Sequence, residues 1–197
     1  MSSLNYINPR FKSMGFEFLD EKIFIKKNVL SNKYMDQVLA ILSNLSESDW
    51  LQHGNYEVGD LPKGSFIQDK VSPPISLVNE INDIVTDLFV PEYWPIRNLF
   101  INRLRKEEKP LLQTVNTVSA NGEKEFNLDY ISTIPMGGWK GGEYTFPKKN
   151  ITIILNPGDL LVFSGDEEYS IDVQKITEGV RYSSFIPLIK HPGWLAL

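Results

Sequence analysis

A chain of 197 residues with 42% apolar content is long enough to bury a full core and short enough to be one domain. Its formal net charge of −5 argues against a nucleic-acid partner, because phosphate neutralisation needs clustered Lys and Arg. The lack of any cysteine excludes disulfides, zinc–thiolate sites and thiol nucleophiles, and fits a reducing compartment. No run reaches the roughly 18 to 20 uninterrupted apolar residues of a membrane span, and residues 1–15 lack the apolar core of a signal peptide. The expectation is a soluble protein with no membrane partner, cytoplasmic where it is made.

Residues 17–29 alternate and carry the β-formers Phe18, Ile23, Phe24 and Ile25, which predicts one or two early strands. Ser31 is a candidate N-cap, and Tyr34, Met35, Val38, Leu39, Leu42 and Leu45 then recur at helical spacing. Residues 46–70 are polar and rich in turn formers, and read as an extended excursion. A second helix follows Ser72, Pro73 and Pro74, with Leu77, Val78, Ile81, Ile84, Val85, Leu88 and Phe89 on one stripe. The segment 91–95, with a proline at each end, stops it.

Beyond that point the period changes to two. Residues 99–105, 111–118, 128–134, 144–146, 151–155, 160–163 and 182–189 alternate or run apolar. Helices followed by many short strands predict an α+β fold, the helices packed on one face of a sheet that closes toward a sandwich or barrel. The one dense basic cluster, Arg103-Leu-Arg105-Lys106, runs straight into Glu107 and Glu108 and is expected to be a solvated strand end.

Three motifs stand in order in the second half. Trp139-Lys-Gly141-Gly142-Glu143 offers paired glycines for a tight turn at positive φ. Asn156-Pro-Gly158-Asp159 leads into the apolar Leu160-Leu-Val-Phe163. Gly179-Val-Arg181-Tyr182-Ser183 places an arginine and a serine two residues apart.

Together these motifs resemble the C-terminal half of the prolyl-4-hydroxylase-like 2-oxoglutarate/Fe(II) oxygenases, over residues 97–190. The resemblance implies a double-stranded β-helix, or jelly roll, with two N-terminal supporting helices: one domain over 1–197, helical support in 1–96 and the β-helix core in 97–190. It also implies that Arg181 and Ser183 occupy the positions that bind the distal carboxylate of 2-oxoglutarate, where a planar guanidinium offers parallel donors.

The iron site departs from the family pattern. The second metal histidine should lie about ten residues before the arginine, and that count from Arg181 reaches Ile171. The His-x-Asp half should lie about 25 residues before the Gly-Gly pair, within 113–119, where neither histidine nor carboxylate occurs and Asn116 stands nearest the histidine slot. Asn127-Leu-Asp129 imitates the spacing but lies too close to Gly141 to leave room for a strand and a turn. The two histidines, His53 and His191, sit in polar or Pro-Gly-containing segments and read as loop residues. The resemblance therefore implies a pseudo-oxygenase with no catalytic residues, no metal ligands and no cofactor. It would serve as a structural or protein-binding module whose partners are other copies or other proteins.

The composition also resembles that of oxygenase-like proteins from tailed phages of cyanobacteria, which implies a virion component. The alternative is an active hydroxylase using Fe(II) and 2-oxoglutarate, with oxygen ligands such as Asp129 or Asp172. A metal-free sensor that binds a dicarboxylate at Arg181 is a third reading. Arg181 could equally be a buried ion-pair partner of Asp172 or Glu143. The run Asp166-Glu167-Glu168 could hold a hard cation, but consecutive carboxylates usually form a solvated loop. Trp50, Tyr56, Tyr93, Trp94, Trp139 and Trp194 read as core or rim packing rather than a binding face.

Overall fold

The structure is a computed structural model that describes residues 9–47, 75–90, 93–95, 100–106 and 128–190. A short helix, α1 (Pro9–Ser13), opens it. Two antiparallel strands follow, β1 (Glu17–Asp20) and β2 (Ile23–Lys26), and then helix α2 (Asn32–Ser43). Ser31 caps α2 as expected: its side chain accepts the Tyr34 N–H at 3.2 Å, satisfying one of the orphan donors of the first turn. Met35, Val38 and Leu42 form its buried face. Helix α3 (Ile75–Phe89) buries Ile81, Val85 and Phe89 completely, four residues apart, so one stripe meets the core. No helix among the described residues is long and apolar enough to cross a membrane.

The strands that follow are β3 (Tyr93–Pro95), β4 (Phe100–Arg105), β5 (Tyr130–Thr133), β6 (Pro135–Gly141), β7 (Tyr144–Phe146), β8 (Ile151–Ile153), β9 (Leu160–Ser164), β10 (Asp172–Val173) and β11 (Ile176–Lys190). Eight of the eleven described strands form a large sheet in the order β1-β2-β9-β5-β11-β3, with β4 and β6 also paired to β11. A smaller sheet has the order β10-β7-β8. All described pairings are antiparallel.

β11 organises the molecule by changing partners along its length. Residues 180–185 pair with β4 and residues 176–183 with β6; beyond Phe185 the strand turns to β5 and then β3. Ser184 marks the handover, its N–H donating to the Ile134 carbonyl and its hydroxyl accepting the Ile134 N–H at 3.0 Å.

Two cores result, one on each face of the large sheet. Phe24, Leu160, Val162, Ile186 and Leu188 face α1, α2 and α3; Ile23, Ile25, Ile131, Leu161 and Phe163 share the other core with Tyr144, Phe146, Ile153, Ile171 and Val173 of the small-sheet region. This explains β9, where all five residues are buried: a central strand covered on both faces needs apolar side chains at odd and even positions alike.

Several expectations need correction. Segment 91–95 does more than stop a helix, since Tyr93–Pro95 pairs with residues 188–190 as β3. β6 and the first part of β11 were not expected as strands. β1, β2 and β3 bring strands from the N-terminal part into the large sheet. Residues 46 and 47 belong to the described part, while 48–70 and the expected strand 111–118 lie outside it.

Candidate functional site

Arg181 and Ser183 sit on β11 two residues apart, so both point from the large sheet toward the small one. Both are buried, at 2% and 6% exposure. One guanidinium nitrogen, Nη1 of Arg181, donates to the Gly142 carbonyl at 2.6 Å. The guanidinium carbon lies 4.8 Å from the centroid of the Tyr144 ring, a cation–π arrangement.

The paired glycines make this approach possible. Gly142 has φ +70, and a Cβ on it would meet Ile176 Cδ1 at 2.5 Å and Arg181 Nη1 at 2.8 Å. Only glycine tolerates both the left-handed backbone and the guanidinium pressed against it. The ion pair considered for Arg181 is not what forms: among the described residues no carboxylate pairs with it, and its partners are the Gly142 carbonyl and the Tyr144 ring.

Four buried side-chain atoms in this region have no hydrogen-bond partner: Arg181 Nε, Ser183 Oγ, Tyr144 Oη and Asn102 Oδ1. Asn102 lies directly opposite Ser183 in the β4–β11 register, on the same face of the sheet. Sequence reasoning reached Arg181 and Ser183 through their motif. It missed Tyr144 and Asn102, the first placed by packing between the two sheets and the second by cross-strand register, neither of which a local pattern encodes.

Ile171 lies just before β10 and is 2% exposed. It belongs to the apolar cluster with Phe146, Leu155, Phe163, Tyr169 and Val173. A hydrocarbon side chain set among hydrocarbon side chains offers a metal nothing to bind, so this position does not fit iron. Asn116, His53 and His191 lie outside the described residues. Among the described residues no three His, Cys, Asp or Glu side chains gather into a group that could hold a metal. Asp129 and Asp172 join no such group; Asp129 accepts the Lys190 N–H at 2.6 Å, and Asp172 accepts from the Gln174 amide at 3.1 Å.

The acidic run is committed to lysines rather than open to a cation. Lys22 pairs with Asp166 at 2.8 Å, Lys148 with Glu167 at 2.6 Å, and Lys149 with Glu168. The Lys148 ammonium holds the Glu167 carboxyl below its ordinary range. Lys149 also lies 4.3 Å from the centroid of the Tyr169 ring, and the Tyr169 hydroxyl donates to Asp20 at 3.0 Å. These contacts tie the loop before Ile171 to the β1–β2 turn and to the turn at Pro147–Lys149.

Arg103 is not the solvated strand end expected. It is buried and grips Glu47 through two bonds, at 3.0 and 3.2 Å, while Arg105 bonds the same carboxylate at 2.6 Å. Arg105 first and Arg103 second hold the Glu47 carboxyl below its ordinary range. Of the aromatics considered together, Tyr93 packs edge-on against Tyr130 with centroids 5.2 Å apart, and Trp139 is half-buried. The side chains of Trp50, Tyr56, Trp94 and Trp194 are outside the described set.

No family model and no curated protein matches the sequence. Solved structures do match in fold. A prolyl hydroxylase from Trichoplax adhaerens, in complex with a hypoxia inducible factor oxygen degradation domain peptide fragment, aligns with a TM-score of 0.63 at 12% identity, over 94% of this chain and 88% of that one. The viral collagen prolyl hydroxylase of Paramecium Bursaria Chlorella virus-1 aligns at 0.60 and 12%, over 88% and 97%. An oxidoreductase of the 2OG-Fe(II) oxygenase family from Burkholderia pseudomallei aligns at 0.58 and 15%, over 86% of each chain. At these identities the likeness shows the fold alone: this chain is built like a 2-oxoglutarate/Fe(II) oxygenase, mostly antiparallel sheet with few helices.

Proposed function

We propose that this is a non-catalytic oxygenase-fold protein, a pseudo-oxygenase whose single double-stranded β-helix domain serves as a structural or protein-binding module. The observation that carries this reading is Ile171, 2% exposed inside an apolar cluster at the position where the resemblance asks for a metal histidine. Oxygenase chemistry of this family needs Fe(II) on two histidines and a carboxylate, with open positions for 2-oxoglutarate and oxygen. An isoleucine in one of those three places removes a ligand and replaces it with packing.

Arg181 and Ser183 remain the carboxylate-binding positions in this reading, supported by their burial and by the unpartnered Nε and Oγ. The protein partners would be other copies of the chain or virion proteins; the compositional likeness to phage proteins supports that part. The direct test is succinate formation from 2-oxoglutarate with added Fe(II) and ascorbate. The reading expects none above a protein-free control. Turnover that Arg181→Ala abolishes would overturn it.

A further inference from the structure

An outermost strand leaves a row of backbone N–H and C=O groups open, and unless it is guarded that row templates another chain. The large sheet guards both of its ends. β1 has a bulge between Phe18 and Asp20 and carries Glu17 and Asp20, while β3 contains Pro95, which has no N–H to offer. At one end of the small sheet, β10 carries Asp172. β8, at the other end, has no such device. Among the described residues it pairs with β7 alone, and residues 150–156, Asn-Ile-Thr-Ile-Ile-Leu-Asn, hold no charge, proline or glycine. Its ladder is only three residues long, but burial goes on alternating to Leu155. Ile153 and Leu155 are buried and Ile151 half-buried, while Thr152 and Ile154 face outward. Ile154 is 73% exposed, more than any other large apolar side chain among the described residues.

We infer that the open edge of β8 binds β8 of a second copy, antiparallel across a two-fold axis, joining two small sheets into one. An open edge calls for an extended backbone, and this run is its own complement. Centred on Ile153, self-pairing sets Ile153 against its copy, Ile151 against Leu155 and Thr152 against Ile154, so every opposed pair is apolar or β-branched. No like charges meet in that register. Lys148 and Lys149, which precede the run and come close to the partner, are already neutralised by Glu167 at 2.6 Å and by Glu168. The contact covers Ile154 and the remaining exposure of Ile151. A two-fold axis uses both edges at once, so association closes at two copies instead of propagating. The inference rests on the proposed reading only in taking the chain itself as the partner.

The experiment is sedimentation of the full chain from roughly 1 μM to 1 mM, where a short interface gives a dissociation constant on the order of 10 μM. The mass is expected to rise from 22.6 kDa to twice that value and stop there. Ile154→Lys, at an exposed position, should weaken association at least tenfold with the circular dichroism spectrum unchanged. Leu19→Lys, on the guarded edge β1 and 42% exposed, should leave association as it was. The chain has no cysteine, so an introduced thiol is the sole one. Thr152→Cys and Ile154→Cys proteins, mixed and oxidised, should give more disulfide-linked dimer than either alone, because the register sets those two positions opposite each other. A monomer at every concentration would overturn the inference. So would open-ended growth, a dimer indifferent to Ile154→Lys, or a mixture that cross-links no better than its components. Each of those results leaves the argument from Ile171 untouched, whereas Fe(II)-dependent turnover would sink the pseudo-oxygenase reading and leave the dimer standing.

Discussion

Ile171 and Gly142 are the two residues on which the site turns, and they fail in different ways when replaced. Ile171→His puts an imidazole among the apolar side chains of Phe146, Leu155, Phe163 and Val173. Burial of an unpaired polar group costs about 1–3 kcal/mol. Ile171→His is thus expected to lower the urea midpoint without creating tight iron binding, as one restored histidine is not a facial triad. Gly142→Ala forces a Cβ onto Ile176 and Arg181 at φ +70. Strain of the backbone and overpacking add to more than about 2 kcal/mol. Denaturant unfolding of this variant should show that loss, and carboxylate binding should vanish as Arg181 is displaced from the Gly142 carbonyl.

At the scale of elements, caps and ion pairs separate into contacts that matter and contacts that do not. Ser31→Ala removes the acceptor for the Tyr34 N–H and is expected to cost about 1 kcal/mol in denaturant unfolding. Lys148→Ala breaks an exposed pair with Glu167, and the unfolding midpoint should stay where it was, because solvent and salt already screen that pair. The elements differ as much in how legible they were. α2, α3, β7 and β9 could be read locally, because their burial follows a period of 3.6, an alternation of two or a continuous apolar run. β6 could not: Pro135, Gly137, Gly138 and Gly141 read as turn chemistry, and only pairing along residues 176–183 of β11 makes them a strand. The β4–β11 register sets Asn102 beside Ser183, and the packing of the small sheet on the large one sets the Tyr144 ring against Arg181. The motif half of the candidate site was thus visible in sequence and the tertiary half was not.

At the scale of the whole molecule, tyrosines buried around the two cores make the fold sensitive to alkali. Burial, with the hydrogen bond to Asp20 acting in the same direction, pushes the Tyr169 phenol up to about 12 from an ordinary value of 10.0, against the opposing pull of Lys149. Burial also raises Tyr130 and Tyr182. A raised folded value means the native state holds its proton more tightly than the unfolded chain. The associated stability is complete below about pH 10 and is lost as pH climbs toward 12. Stability measured against pH should fall through that window, and Tyr169→Phe should make the fall shallower; an unchanged slope would show that Tyr169 stays neutral for no energetic reason.

The fold as a whole answers to one claim, that an oxygenase architecture persists here after its iron seat at position 171 has become part of an apolar core. Metal analysis of protein purified without oxygen and equilibrated with Fe(II) tests it most directly. The account predicts iron well below one equivalent at micromolar free Fe(II), unchanged by 2-oxoglutarate. One equivalent of iron retained at micromolar affinity would contradict it.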